Sequence, residues 1–147
     1  GRALPVVTLL VDTSVWSLAL RRDISASEPE VHLLKDALMG ADIVVTTGLV
    51  LQELLQGFSG PKSRAQIIER FAALPLLQPD REDHVAAADI RNMCRRAGIQ
   101  LGTIDALLAQ LCIRYDLTLL STDNDFKLAA LHCALHVWSP KLGTRRK

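Results

Sequence analysis

Cysteine is scarce in this chain, and what there is forms no pattern. Cys94, Cys112 and Cys133 are odd in number, lack C-x-x-C spacing and sit in apolar segments. That argues against a disulfide framework or a thiolate zinc site and predicts reduced core thiols. Long apolar runs are missing as well. Nothing approaches the ~20 residues that cross a bilayer, and the N-terminus has neither the h-region nor the A-x-A site of a secretory signal, so a cytoplasmic location with no membrane role is expected. No G-x-x-x-x-G-K-[ST] or G-x-G-x-x-G occurs, which leaves nucleotide binding unsupported. Charge of one sign is absent too: 17 Lys and Arg face 16 Asp and Glu, for a formal net charge of +1. Any polyanion would have to be held by a local patch.

What the chain does have is apolar character, 49% of 147 residues, enough for one domain with a substantial core spanning 1–147. A basic tail, KLGTRRK, runs from about residue 140 and reads either as a solvated terminus or as such a patch. VVTLLVD (6–12), DIVVTT (42–47), LTLLSTD (117–123) and LHVW (135–138) are short and mostly apolar on both faces, as in strands of a parallel sheet covered by helices. LPLLQP (74–79) offers one more. Between them lie helical patterns. SEPEVHLLKDALMG has Ser27 as N-cap, Pro29 in the first turn and Gly40 as a stop, and GLVLQELLQG ends at Gly57. KSRAQIIERFAAL, REDHVAAADIRNMCRRAG and GTIDALLAQLCIRY complete the set. This alternation predicts a three-layer α/β/α sandwich with a mainly parallel sheet. Ligands of such sheets bind beyond the strand C-termini.

Acids stand at the places that matter in that architecture. Asp12 closes the first strand, Glu53 lies inside LVLQELLQG, Asp105 opens the fifth helix, and Asp123 closes a later strand with Asp125 two residues on. Each also has a plain reading. Asp12 suits a helix N-cap, Glu53 a surface position, Asp105 the positive end of a helix, and STDND a polar turn. Two observations weigh the other way. Leu108, Ala109 and Cys112 follow Asp105 at helical spacing, so its carboxylate projects from the apolar stripe. The acids also come from separate elements that a parallel sheet would bring to one edge.

Such convergence is costly without a cation, because two carboxylates about 5 Å apart repel by roughly 3 kcal/mol at an effective dielectric near 20. An all-oxygen donor set selects Mg²⁺ or Mn²⁺ over Zn²⁺. Asp12, Asp105, Asp123 and Asp125 are the expected metal ligands. The spacing of His132 and His136 does not make a zinc site, since that stretch runs into a strand. Carboxylate-bound Mg²⁺ suits in-line hydrolysis of a phosphodiester, with Asp12, Glu53, Asp105 and Asp123 as the catalytic set. Thr13, Ser14 and Thr122 are candidates for bonding water or the scissile phosphate, although capping explains the first two equally well. Arg95, Arg96 and Lys127, with Arg21 and Arg22, are the local cations expected to contact a phosphodiester backbone; a solvated helix face is their alternative.

VDTSVW, ELLQG, GTIDALLAQL and LLSTDNDF, in this order, resemble the successive motifs of a PIN domain, and the single-domain length resembles the VapC-type toxins of bacterial toxin–antitoxin pairs. The resemblance implies that Asp12, Glu53, Asp105 and Asp123 match the acidic quartet and Asp125 a frequent fifth acid. It further implies Mg²⁺- or Mn²⁺-dependent cleavage of RNA, a homodimer, and a small cognate antitoxin that silences the site. Asn124 stands where relatives often carry a basic or other polar residue. The aliphatic surplus of GLVLQELLQG and KSRAQIIERFAAL suits a groove for a partner's amphipathic helix, or simply a well-filled core. Two rivals share this pattern of acids: a PIN-fold nuclease that processes RNA without an antitoxin, and a catalytically silent RNA-binding module. A haloacid-dehalogenase-like phosphatase would need an acid at Ser14, and a receiver domain a lysine earlier than Lys127.

Overall fold

The computed structural model describes residues 6–21 and 27–140; Arg22 and the basic tail at 141–147 lie outside them. Five strands, β1 (Thr8–Val11), β2 (Ile43–Thr47), β3 (Leu76–Leu77), β4 (Thr118–Leu120) and β5 (His136–Val137), form one sheet in the order β3-β2-β1-β4-β5. Every pairing is parallel. Leu9, Leu10 and Val11 of the central strand are buried, as are Val44, Val45, Leu119 and Leu120 beside it. That is why these segments read as unbroken apolar runs, since helices cover both faces. The helices are α1 (Thr13–Leu20), α2 (Pro29–Asp36), α3 (Gly48–Gly57), α4 (Pro61–Ala72), α5 (Arg81–Arg96), α6 (Thr103–Tyr115) and α7 (Asn124–Ala129). Trp16 of α1 stacks at a tilt on Phe71 of α4, with ring centroids 4.8 Å apart. Cys94 and Cys112 are buried free thiols and Cys133 is half-buried. No helix among the described residues is long and apolar enough to cross a membrane.

The strand order carries a functional consequence. From β1 the chain steps outward through β2 to the edge strand β3, then returns across the sheet to lay β4 on the other side of β1. Connections leaving β1 and β4 therefore diverge, and a crevice opens beyond the carboxyl ends of these two neighbours.

Several boundaries differ from the sequence expectation. The first strand begins at Thr8 and ends at Val11, so Asp12 is no longer strand but the cap position of α1. Glu28, and not Ser27, occupies the cap position of α2 and makes no side-chain capping bond. A π-type turn at Ala37–Ala41 follows α2, and Gly40 leaves it at φ 110°, a conformation that L side chains rarely adopt. Helix α7 falls where the sequence indicated the end of a strand with a cluster of oxygen ligands, or a polar turn. It is a short helix with an Asp cap, and its six residues give too little periodicity to read.

The contact of α5 with α6 is locked by an ionic cluster. Asp80 and Asp83 form a capping box at the start of α5, each carboxylate accepting the other's backbone N–H at 3.0 and 2.9 Å. Asp83 is 1% exposed and also accepts from Gln110 Nε2 at 3.2 Å and from Arg114 Nη1, both on α6. Arg114 reaches Asp80 as well, at 3.2 Å. Burial pushes the Asp83 carboxyl up, but the Asp80 N–H, Gln110 and Arg114 together outweigh it and hold the group below its ordinary range.

A carboxyl lowered in the folded state adds stability above its unfolded value, about 3.9, and that contribution is lost as pH falls through the folded value. Asp83→Ala should therefore lower stability at pH 7 by roughly 1–3 kcal/mol. Urea denaturation of parent and variant should show the gap shrinking below about pH 4. An equal gap at pH 3 and pH 7 would rule out an ionic origin.

Candidate functional site

Asp12 is where the crevice begins. Its backbone N–H donates to the Leu120 carbonyl at 2.9 Å, extending the β1–β4 ladder by one residue, and its own carbonyl accepts from Val15 and Trp16 to start α1. The side chain makes no capping bond. Instead Oδ2 accepts two hydroxyls, Ser14 Oγ at 2.9 Å and Ser121 Oγ at 2.8 Å. A 7% exposed carboxylate with two hydroxyl donors is tolerable where a bare one would not be. Oδ1 has no protein donor among the described residues.

Ser121 is the residue that sequence reading missed. It is fully buried, donates to Asp12, and accepts the Asp123 N–H at 2.9 Å. One hydroxyl thus ties the acid after β1 to the acid after β4. Its signal was present in LLST, a small polar residue ending an apolar run one step before the noticed Thr122. Thr122 itself is exposed, and its backbone N–H, not its hydroxyl, meets Ser14 Oγ at 3.1 Å. Asp123 caps α7 by accepting the Asp125 N–H at 2.9 Å. The capping explanation offered for Asp12 therefore fails, whereas Asp123, placed by sequence at a strand end or in a polar turn, does cap a helix.

Glu53 is half-buried on α3, and its Oε1 accepts Thr13 Oγ1 at 2.7 Å. Thr13 therefore bonds a carboxylate 40 residues away instead of capping α1. Gln52 and Gln56 bond each other on the exposed side at 2.9 Å, as their spacing predicts. Asp105 sits half-buried in the first turn of α6. Burial first, and then the charges of Asp12, Asp123, Glu53 and Asp125, push its carboxyl up to about 6. The acids singled out in the sequence therefore lie within electrostatic reach of one another, and the charges raising Asp105 are all carboxylates.

Arg21, Arg95, Arg96 and Lys127 are exposed. None forms an ion pair with these acids, since the ion pairs among the described residues are those of Arg114. Arg95 donates to Asn92 Oδ1 at 2.9 Å.

A divalent cation fits this crevice in donor chemistry and in charge. The donors are all oxygen, no Arg or Lys among the described residues forms an ion pair with these carboxylates, and the hydroxyl contacts leave Asp12 Oδ1 and Glu53 Oε2 without protein donors among those residues. It is not a finished cage: among those residues no group of three or more His, Cys, Asp or Glu is arranged to hold an ion as it stands.

A family model described as PIN domain matches residues 9–131. Several solved structures share the fold. VapBC2 from Rickettsia felis, bound to a DNA fragment from its promoter, superposes with TM-score 0.69 at 18% identity, over 90% of this chain and 98% of that one. FitAcB from Neisseria gonorrhoeae gives 0.66 at 22%, over 90% and 98%. Mycobacterium tuberculosis VapC20, a sarcin-ricin loop cleaving toxin, gives 0.62 at 17%, over 82% and 94%. At these identities the likeness is one of fold.

The raised Asp105 carboxyl makes a prediction for the chain in chelator. Its folded value, about 6, lies above the unfolded one, so ionisation opposes folding, partly above about pH 4 and fully above about pH 6. Asp105→Asn should therefore be more stable than the parent at pH 8, by on the order of 1 kcal/mol after solvent screening. Thermal melts at pH 8 and pH 3.5 should show this advantage disappearing in acid. A variant less stable at pH 8 would contradict the repulsion argument.

Proposed function

The chain belongs to the PIN-domain family, and from that premise we propose that it is a Mg²⁺- or Mn²⁺-dependent endoribonuclease, the toxin of a toxin–antitoxin pair. The observation that carries this reading is the charge around Asp105, where four further carboxylates act on one half-buried acid. Carboxylates so crowded are an expense to folding that a role in binding a cation explains. The fold neighbour that cleaves the sarcin-ricin loop supports RNA as the substrate class.

In this reading Asp12, Asp105, Asp123 and Asp125 hold the ion and Glu53 completes the catalytic set. When bound, Mg²⁺ or Mn²⁺ supplies an activated water and charge stabilisation at the leaving oxygen. The chain's own residues do the orienting. Ser14 and Ser121 fix Asp12 through Oδ2, which keeps Oδ1 available, and Thr13 does the same for Glu53 through Oε1. Arg95, Arg96 and Lys127 supply positive charge for the strand, and Thr122 is exposed where its hydroxyl can meet it.

A cognate antitoxin and a homodimer in the cytoplasm belong to the same proposal. Complexes such as VapBC2 and FitAcB support the partner. The crevice also favours it physically, since five acids and at most two ions leave residual negative potential for an arginine or lysine of another chain.

With Mg²⁺ or Mn²⁺ the purified chain should cut single-stranded or loop RNA, and chelator should stop it. Asp12→Asn should keep the fold and reduce cleavage roughly 100-fold or more. Undiminished cleavage by that variant would overturn the site. Co-expression with the short reading frame beside its gene should yield a co-purifying partner that suppresses cleavage. A neighbour that neither binds nor inhibits would favour a free-standing processing nuclease, and an intact, metal-loaded chain that binds RNA without cutting it would favour a silent binding module.

A further inference from the structure

A groove between α5 and the start of α6 holds two cavities, of about 250 and 310 Å³, that share Arg91 as a common wall. His84 and Asn92 line the first opposite Thr103, and Arg95 lines the second opposite Leu101 and Gly102. At about 100° per residue, His84, Ala88, Arg91 and Arg95 fall within about 60° of one another on α5, whereas Glu82 and Asp89 project from the opposite side. The face turned to the groove therefore carries cations and no free acid.

Two details equip that face for an anion. Arg91 donates through Nε to the Leu101 carbonyl at 3.0 Å, which fixes its planar fork and leaves its terminal nitrogens without protein acceptors among the described residues. Arg95 is held by Asn92 Oδ1 and, like Arg91, has no carboxylate partner among those residues. A guanidinium anchored on a neutral acceptor keeps its full charge for a phosphate. The groove also ends against the acidic crevice: Gly102 lines the second cavity, and a Cβ there would stand 3.7 Å from Asp105 Oδ2. A strand lying across crowded carboxylates has its flanking phosphates repelled, so cations placed at the rim are what would retain it.

We propose that this groove binds the phosphodiester backbone of the RNA strand beside the cleavage point, with Arg91 and Arg95 each holding a flanking phosphate. The proposal rests on the nuclease reading and adds to it a path for the strand and a residue, Arg91, that no motif marks.

The test is fluorescence anisotropy of labelled oligouridylate with the full chain in EDTA, across a salt series, together with cleavage kinetics in Mg²⁺. Arg91→Ala and Arg95→Ala should each weaken binding several-fold and lower the slope of log K against log salt by about 0.7, the single-strand value for one lost phosphate contact. KM should rise with little change in kcat. Arg64→Ala, an equal charge change on exposed α4, should leave both unaltered. Arg95 is exposed, so its variant decides the matter if Arg91→Ala loosens the segment it anchors. A parent that binds and cuts RNA, with both variants matching it, overturns the groove alone. A parent that neither binds nor cuts overturns the nuclease reading and the groove with it. Variants that change sedimentation but not RNA binding would assign the face to a second copy of the chain, and the proposal would fall.

Discussion

The pairing of β1 with β4 continues one residue beyond the strands, through the bond from the Asp12 N–H to the Leu120 carbonyl, and that extension governs where the acids stand. It sets Asp12 level with Ser121, so the buried hydroxyl can donate to one acid and accept the backbone N–H of the other. Without it Asp12 would be free to turn inward and cap α1, as its sequence context invites. Because β1 and β4 are neighbours whose following connections diverge, the same pairing also opens the crevice. Glu53 then arrives from α3 and is tied in by Thr13, the residue next to Asp12.

Charge makes the arrangement expensive. The Asp105 carboxyl is pushed up to about 6 because burial and four neighbouring charges all favour its protonated form. On the neighbouring helix α5 the opposite holds. Asp83, more deeply buried, is lowered because Gln110, Arg114 and a backbone N–H surround it with donors. Both clusters meet α6: one destabilises its first turn, and the other clamps its later turns to α5. Burial alone does not decide the fate of a carboxylate; the company of donors does. A site under strain sits on a helix anchored somewhere else, which is the usual arrangement where binding requires groups that folding disfavours.

Much of this was legible beforehand. Helical spacing placed α3, α4, α5 and α6 within a few residues of their observed bounds, and the inward lean of Asp105 followed from Leu108, Ala109 and Cys112. Short polar-led elements were not legible. The α7 helix has too few turns to show a period, and its Asp123 satisfies both a capping role and a place in the crevice. Ser121 looked like part of a turn because a serine ending a strand carries no periodic signal at all.

Sequence by itself determined the layered α/β architecture and the parallel character of the sheet, and it singled out the acids as candidates, because apolar runs and abrupt carboxylates are local properties of the chain. Tertiary structure alone decided which hydroxyl serves which acid, that Thr13 bonds Glu53 instead of its own helix, and that Arg91 faces a groove running to Asp105. Those facts depend on separations of 40 residues in one case and 109 in another. Contacts at such distance are set by strand order and helix packing, which no stretch of sequence encodes on its own.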